Sequence, residues 1–313
     1  MTVNSEVRLG MLLWSQGADW PTFEASAVTA DDLGYDHLWT WDHLYAIFGN
    51  PLQPVFEGWV ALAALARVTS RIRLGLLVGA NTFRNPGLVA KMVTTLDHTS
   101  GGRAILGLGG AWFELEHVAY GIEFGTSPGK RLAWLDEAAG IIKPLLARES
   151  VTREGPRYHV DRLQLVPGPL QKALPLMIGD SGERKTLRTV AKYADMWNGG
   201  GDLPTVARKI EVLRRHCEGV GRDPGEIELT IGYKPTIRDT EAEARQVVEW
   251  LMEQNQTPMS RIENDNSFWT GTVDQIAETM HNFRQIGVNT FIAEVPAPYD
   301  DETMTRLMQE VKP

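Results

Sequence analysis

At 313 residues, 43% of them hydrophobic, the chain can bury a large core and sits near the upper end of what one core supports. Its formal charge of -9 comes from 31 basic and 40 acidic residues with no basic stripe, which excludes a nucleic-acid partner, because phosphate attraction needs a concentrated positive field. One cysteine, Cys217, leaves no intrachain disulfide and points to a reducing compartment.

In chain order, residues 1–20 carry Glu6 and Arg8 where a signal peptide needs an apolar centre. No later apolar run reaches the roughly 18 residues that cross a bilayer, so a cytoplasmic protein with no membrane partner is expected. Val7–Leu13 (VRLGMLL) predicts a buried strand, and Thr22–Leu33 a helix started by Pro21 and stopped by Gly34. Tyr35–Trp39 is the second strand, and Gly58–Ala66 its helix after a long loop. Arg71–Val78 and Gly87–Leu96 make the third pair, Arg103–Leu108 and Leu132–Leu146 the fourth. Between those last two, Gly110–Gly129 has poor periodicity and reads as a long loop. Residues 147–173 hold no good helix. Strand Leu174–Ile178, helix Glu183–Tyr193, strand Ala194–Trp197 and helix Leu203–Cys217 follow. Strand Ile227–Tyr233, helices Glu241–Glu253 and Val273–Ile286, strand Asn289–Val295 and helix Glu302–Glu310 complete the chain.

Eight strands alternating with helices predict an α/β (β/α)8 TIM barrel rather than an open doubly wound sheet, which usually stops at about five or six strands. No GxGxxG turn follows the first strand, so the dinucleotide fingerprint of the open fold is missing. No Ser/Gly/Pro stretch or charge run marks a linker, and residues 1–313 are expected to form one domain.

Loops leaving the C-terminal strand ends build the active site of such a barrel, and four stretches fall there. After the second strand, Asp42-His43 pairs a carboxylate with an imidazole able to give or take a proton near neutral pH; a surface Asp-His pair is the plainer alternative. After the third, Val78-Gly79-Ala80-Asn81 offers small residues against which a planar ring can lie, with Asn81 able to reach a ring edge; the alternative is an ordinary strand end with an Asn turn. After the fourth, the glycines of Gly107-Leu108-Gly109-Gly110-Ala111 permit close backbone approach by a cofactor, and Trp112 and Phe113 can wall a pocket. Glu114, Glu116 and His117 have the flavour of metal ligands, but no HExxH occurs and no metal is expected. After the fifth, Gly179-Asp180-Ser181-Gly182-Glu183 runs into a predicted helix whose N–H groups can seat a phosphate, with Ser181 adding a hydroxyl and Arg184 or Lys185 a charge. Gly, Asp and Ser are also simply good capping residues.

There is no GxSxG elbow and no GxxxxGK[ST] frame, so neither nucleophilic catalysis nor an ATPase is supported. A phosphate seat, a small-residue shelf and an acid/base histidine describe a phosphorylated planar cofactor doing redox work.

Four segments, Leu33–Leu44, Glu57–Val78, Asn81–Gly121 and Leu174–Asn198, carry a wider likeness. Through them the sequence resembles the bacterial luciferase-like superfamily, in its branch of deazaflavin (coenzyme F420)-dependent oxidoreductases. It is similar there to glucose-6-phosphate dehydrogenases and methylenetetrahydromethanopterin reductases, although the sugar-phosphate signature is not evident. The resemblance implies a barrel with an insertion over its pocket, a homodimer, coenzyme F420 as cofactor and a small organic molecule as hydride partner. By the same resemblance Asp42, His43 and Glu114 form the catalytic set, with Asp42 also touching the ring. Val78, Gly79, Ala80 and Asn81 make a bulge behind the ring, and Gly109, Gly110, Ala111 and Trp112 line the pocket. Gly179, Asp180, Ser181 and Gly182 hold the phosphate, with Glu183 and Lys185 beside them. Relatives that use flavin mononucleotide (FMN) as monooxygenases share the barrel, so FMN is the alternative cofactor, and a non-catalytic cofactor-binding barrel is a further one. The substrate is left unnamed, because the covering segments Arg148–Lys172 and Asn255–Trp269 carry no signature.

Overall fold

The computed structural model describes residues 6–179 and 182–312. Strands β1 (Arg8–Leu13), β2 (His37–Thr40), β3 (Arg73–Leu76), β4 (Gly79–Ala80) and β5 (Leu106–Gly109) are interleaved with helices α1 (Trp20–Leu33), α2 (Gly58–Val68) and α3 (Pro86–Ser100). After β5 come α4 (Glu114–Tyr120), α5 (Pro128–Leu146) and a hairpin of β6 (Val151–Glu154) and β7 (His159–Leu163). Next are β8 (Leu176–Gly179), α6 (Thr186–Tyr193), β9 (Met196–Gly199) and α7 (Leu203–Val220). The chain ends with β10 (Glu228–Ile237), α8 (Glu241–Gln254), β11 (Phe268–Gly271), α9 (Val273–Gln285), β12 (Thr290–Val295) and α10 (Asp301–Arg306).

Parallel ladders run in the order β3-β2-β1-β12-β10-β9-β8-β5-β4. β3 and β4 are two pieces of one barrel strand, broken at Leu77 and Val78. The ring closes where the Leu74 N–H donates to the Arg103 carbonyl (2.9 Å) and the Ile105 N–H to the Leu74 carbonyl (2.8 Å). With the broken strand counted once, the barrel has the eight strands that the sequence alternation predicts.

Period-two alternation divides each strand between two cores. Met11, Leu13, Leu38, Leu106, Ile178 and Phe291 pack outward against the helices. Leu12, Trp39, Ile105, Met177, Met196 and Ile292 fill the inside of the ring, with Trp14 and Trp41 just past the strand ends. Trp39 spans that interior: a Cβ on Gly75 would lie 2.5 Å from its indole, so only glycine leaves room. Helices start by a shared device, in which Asp19, Asn85, Ser127 or Asp202 bonds the first turn and a proline follows within it.

Four local features differ from the sequence reading. Helix α4 stands in the predicted loop 110–129; at seven residues it is too short to show a helical period. The hairpin β6/β7 is largely exposed and so lacks the apolar alternation that marks a strand. β11 pairs in parallel with the outer half of β10, Lys234 opposite Phe268, beyond the barrel itself. Helix α6 begins at Thr186 rather than Glu183, with Glu183–Lys185 forming a turn before it.

Candidate active site

A cavity of about 430 Å3 opens at the C-terminal ends of the barrel strands, a size suited to small molecules. One side is built by Trp41–His43 after β2, by Leu77–Ala80 across the broken strand, and by Gly109–Trp112 after β5. The other side is built by Asn198 on β9, Lys234 on β10 and Glu294 on β12.

The break in the third strand sets the shape of the floor. The Leu77–Val78 peptide is cis, and the Val78 side chain lies against glycines of the neighbouring strands. A Cβ on Gly109 would sit 2.5 Å from Val78 Cγ2, and one on Gly179 would sit 2.9 Å from Val78 Cγ1. Glycines expected to admit a cofactor therefore admit Val78 instead, and the Val78–Ala80 segment forms the shelf.

Asp42 holds that shelf in place. Its buried carboxylate accepts from the Ala80 N–H (2.8 Å) and from both terminal nitrogens of Arg84 (2.7 and 2.9 Å). Burial pushes the Asp42 carboxyl above its ordinary range, with Arg84 and the Ala80 amide pulling the other way. For Arg84 burial acts to lower the pKa, but Asp42 and Glu57, the latter 2.5 Å away, outweigh it and raise the value. Both Asp42 oxygens are thus committed to the protein.

His43 meets the cavity with a carboxylate behind it. Its Nδ1 lies 3.1 and 3.2 Å from the two oxygens of Glu116, which also accepts from the Leu44 N–H at 2.9 Å. A carboxylate only accepts, so Nδ1 carries a proton and Nε2 is left to act at the cavity. Trp41, Trp112 and Phe113 surround the imidazole edge-on, with centroids 5.5–6.0 Å away. The neighbouring His117 is buried and bonded at both nitrogens, Nδ1 to the Phe113 carbonyl and Nε2 to the Thr82 hydroxyl, each 2.7 Å away. Burial lowers its pKa, which fits a neutral structural histidine.

The structure brings Asp42, His43, Val78, Gly79, Ala80, Gly109, Gly110, Ala111, Trp112 and Gly179 to this one cavity. Of the other predicted site residues that the structure describes, none lines it. Glu114 is exposed on α4; two residues on a helix point to different faces, so Glu116 is the one turned inward. Asn81 is buried and donates to the Tyr158 hydroxyl (3.1 Å), fastening the β6/β7 hairpin instead of facing the cavity. Glu183 pairs with Arg208, and Lys185 donates to the Gly129 carbonyl at 2.7 Å, so neither charge is turned toward a phosphate. Gly182 accepts from the Leu187 N–H at 3.1 Å, while Asp180 and Ser181 lie outside the described residues.

Arg84, Asn198, Lys234 and Glu294 were not singled out by sequence reasoning, and Glu116 was noted only for a metal. The last three were within reach: each lies two residues beyond an inward-facing residue, Met196, Gly232 or Ile292, and so shares its phase. Among the described residues no group of three or more His, Cys, Asp or Glu side chains could hold a metal ion, and no helix is long and apolar enough to cross a membrane. Cys217 is buried, and burial raises its thiol pKa.

Comparison with known proteins matches this architecture. An F420-dependent glucose-6-phosphate dehydrogenase of Kineococcus radiotolerans is 32% identical over 231 residues, covering 70% of this chain and 64% of that protein. The chain spans less than two thirds of the length of the curated relatives it matches, from 54% to 64%. In fold it is similar to an F420-dependent secondary alcohol dehydrogenase (TM-score 0.81, 18% identity, 98% of each chain). It is similar also to a monooxygenase from Streptomyces bottropensis (TM-score 0.78, 20% identity, 96% of each chain). The family model described as luciferase-like monooxygenase matches residues 6–290, so the chain belongs to the luciferase-like family.

Proposed function

We propose that the protein is an oxidoreductase that transfers a hydride between coenzyme F420 and a small organic substrate. The observation that carries this reading is the His43–Glu116 pair, which turns an imidazole Nε2 into the same cavity as the backbone shelf of Val78–Ala80. The residues present fit a planar cofactor ring. The backbone of Leu77–Ala80 and the small residues Gly109–Ala111 offer a surface against which a planar ring can lie. When bound, F420 supplies the ring carbon that gives or takes the hydride.

The protein's own residues position the reactants and handle the proton. Val78 and its glycine neighbours fix the depth of the shelf, and the Asp42–Arg84 pair fixes its height. Glu116 keeps the Nδ1 proton in place, so that His43 Nε2 can hold or move a proton at a substrate heteroatom. Phe48, stacked on Trp14 at 4.4 Å, closes the apolar side against water. In the same reading the enzyme is one domain, works as a cytoplasmic homodimer and takes a small-molecule substrate. The deazaflavin is preferred to FMN because the Kineococcus relative is named for F420.

The test is a titration of purified protein with F420 and, separately, with FMN, followed by absorbance. A shifted or quenched deazaflavin spectrum with weak FMN binding is expected. Tight FMN binding with no response to F420 would overturn the proposal in favour of a flavin monooxygenase.

A further inference from the structure

On the ring of eight strands, β10 stands four places from the broken strand in either direction, so Lys234 and its neighbours face the Val78–Ala80 shelf across the cavity. Their contacts are unusual for a half-buried ion pair. Lys234 Nζ donates to the Ser267 hydroxyl at 2.8 Å, but Glu294 and Asp265 stand at 3.6 and 3.8 Å, beyond hydrogen-bond distance. Glu294 rests over Gly232, where a Cβ would come within 2.7 Å of its Oε1, so the glycine makes room for the carboxylate. Asn198 spends its Nδ2 on the Thr230 hydroxyl at 3.0 Å and keeps its carbonyl oxygen as a further acceptor.

A donor and an acceptor side by side, neither satisfied by the other, match a group that both accepts and donates. We propose that Lys234 and Glu294 form a seat for a substrate hydroxyl, and that the substrate class is a neutral alcohol rather than a carboxylate or phosphate ester. The hydroxyl accepts from Lys234 and donates to Glu294. Anions are disfavoured because two carboxylates, Glu294 and Asp265, flank the one ammonium. Both residues touch the hydroxyl in this seat, Lys234 as its donor and Glu294 as the acceptor that sets the specificity. This rests on the proposed function only in taking the Val78–Ala80 shelf as the cofactor's side of the cavity.

The probes are cyclohexanol and cyclohexanecarboxylate, with binding followed by ligand-observed NMR on the full chain saturated with whichever of F420 or FMN it takes. The parent should bind the alcohol and not the carboxylate. Glu294→Gln, nearly the same in shape, should weaken the alcohol about tenfold and let the carboxylate in, since the ammonium loses a neutralising neighbour. Lys234→Met should weaken the alcohol without admitting the carboxylate, and a thermal melt of each variant excludes misfolding. Equal alcohol affinity in parent and Glu294→Gln, or carboxylate bound more tightly than alcohol by the parent, would overturn the seat. An FMN-loaded protein that still shows the Glu294 effect would overturn the deazaflavin reading alone.

Discussion

His37 and His43 stand six positions apart on and just past β2, one at each end of the barrel. His37 is buried with its Nδ1 unpartnered and its ring edge-on to Trp39 at 5.8 Å, and burial lowers its pKa to about 4. His43 keeps 17% of its side chain exposed and has the Glu116 carboxylate behind it. The residue type is the same; the surroundings decide whether it packs or reacts. At the closed end burial, with Arg73 and Arg8 acting the same way, outweighs the opposing pulls of Glu228 and Asp36 and lowers the histidine's pKa, whereas at the open end the histidine is held by a carboxylate and turned to the cavity.

Removing the open-end histidine should have the largest effect. His43→Ala is expected to lower turnover by roughly 10²–10⁴-fold with cofactor affinity little changed, while His37→Asn leaves the rate per folded molecule near the parent value. Steady-state rates alongside cofactor titrations measure both. Comparable losses in the two variants would erase the distinction drawn between the two ends.

The paired charges make a second contrast, in stability. Asp42→Ala strips the buried, bidentate partner from the half-buried Arg84 and should destabilise the fold by about 3 kcal/mol, Glu57 holding the remainder. Chemical denaturation of Asp42→Ala and of Asp42→Ala with Arg84→Met checks it. The double variant should recover part of the loss, because the unpaired charge is gone.

At the closed end the corresponding prediction is in pH. The folded pKa of His37, about 4, lies below the ordinary value of 6.5, so the unfolded chain takes up this proton first as the pH falls. The contribution is fully present above about pH 6.5 and declines toward pH 4, by at most about 3 kcal/mol. Denaturation midpoints at about pH 7 and pH 4.5 should therefore diverge more for the parent than for His37→Asn. Parallel slopes would show that His37 is not held neutral by its burial.

Much of the closed end was legible in the sequence, because an inward Trp39 flanked by outward Leu38 and a second alternating run in each strand repeat a period that apolar residues display. The open end was legible by position only. Asp42 and His43 follow a strand and could be picked out, but their partners Arg84 and Glu116 lie 42 and 73 residues away, and no local pattern joins them. That Glu116 and not Glu114 lines the cavity was not legible, because a seven-residue helix has too few turns to show which face is buried. The glycines near 109 and 179 were visible as small, but what fills their space, the Val78 side chain, depends on a break in the third strand that composition does not announce.

That last packing arrangement yields the smallest predicted effect. In Gly179→Ala the new methyl group would start 2.9 Å from Val78 Cγ1, with Val78 Cγ2 at 3.3 Å, so the valine must move or the strands must spread. Overpacking of this kind costs about 1–3 kcal/mol. The Gly179 φ is not in the left-handed region, so the cost arises from the contact and not from the backbone. Val78→Ala in the same chain removes both offending methyls and should restore most of the melting temperature, while Val78→Ala alone leaves a cavity and lowers it. If Gly179→Ala melts at the parent temperature, or if adding Val78→Ala lowers the melting point further, Val78 does not fill the space that Gly179 leaves, and the shelf must be held by something other than this interlock.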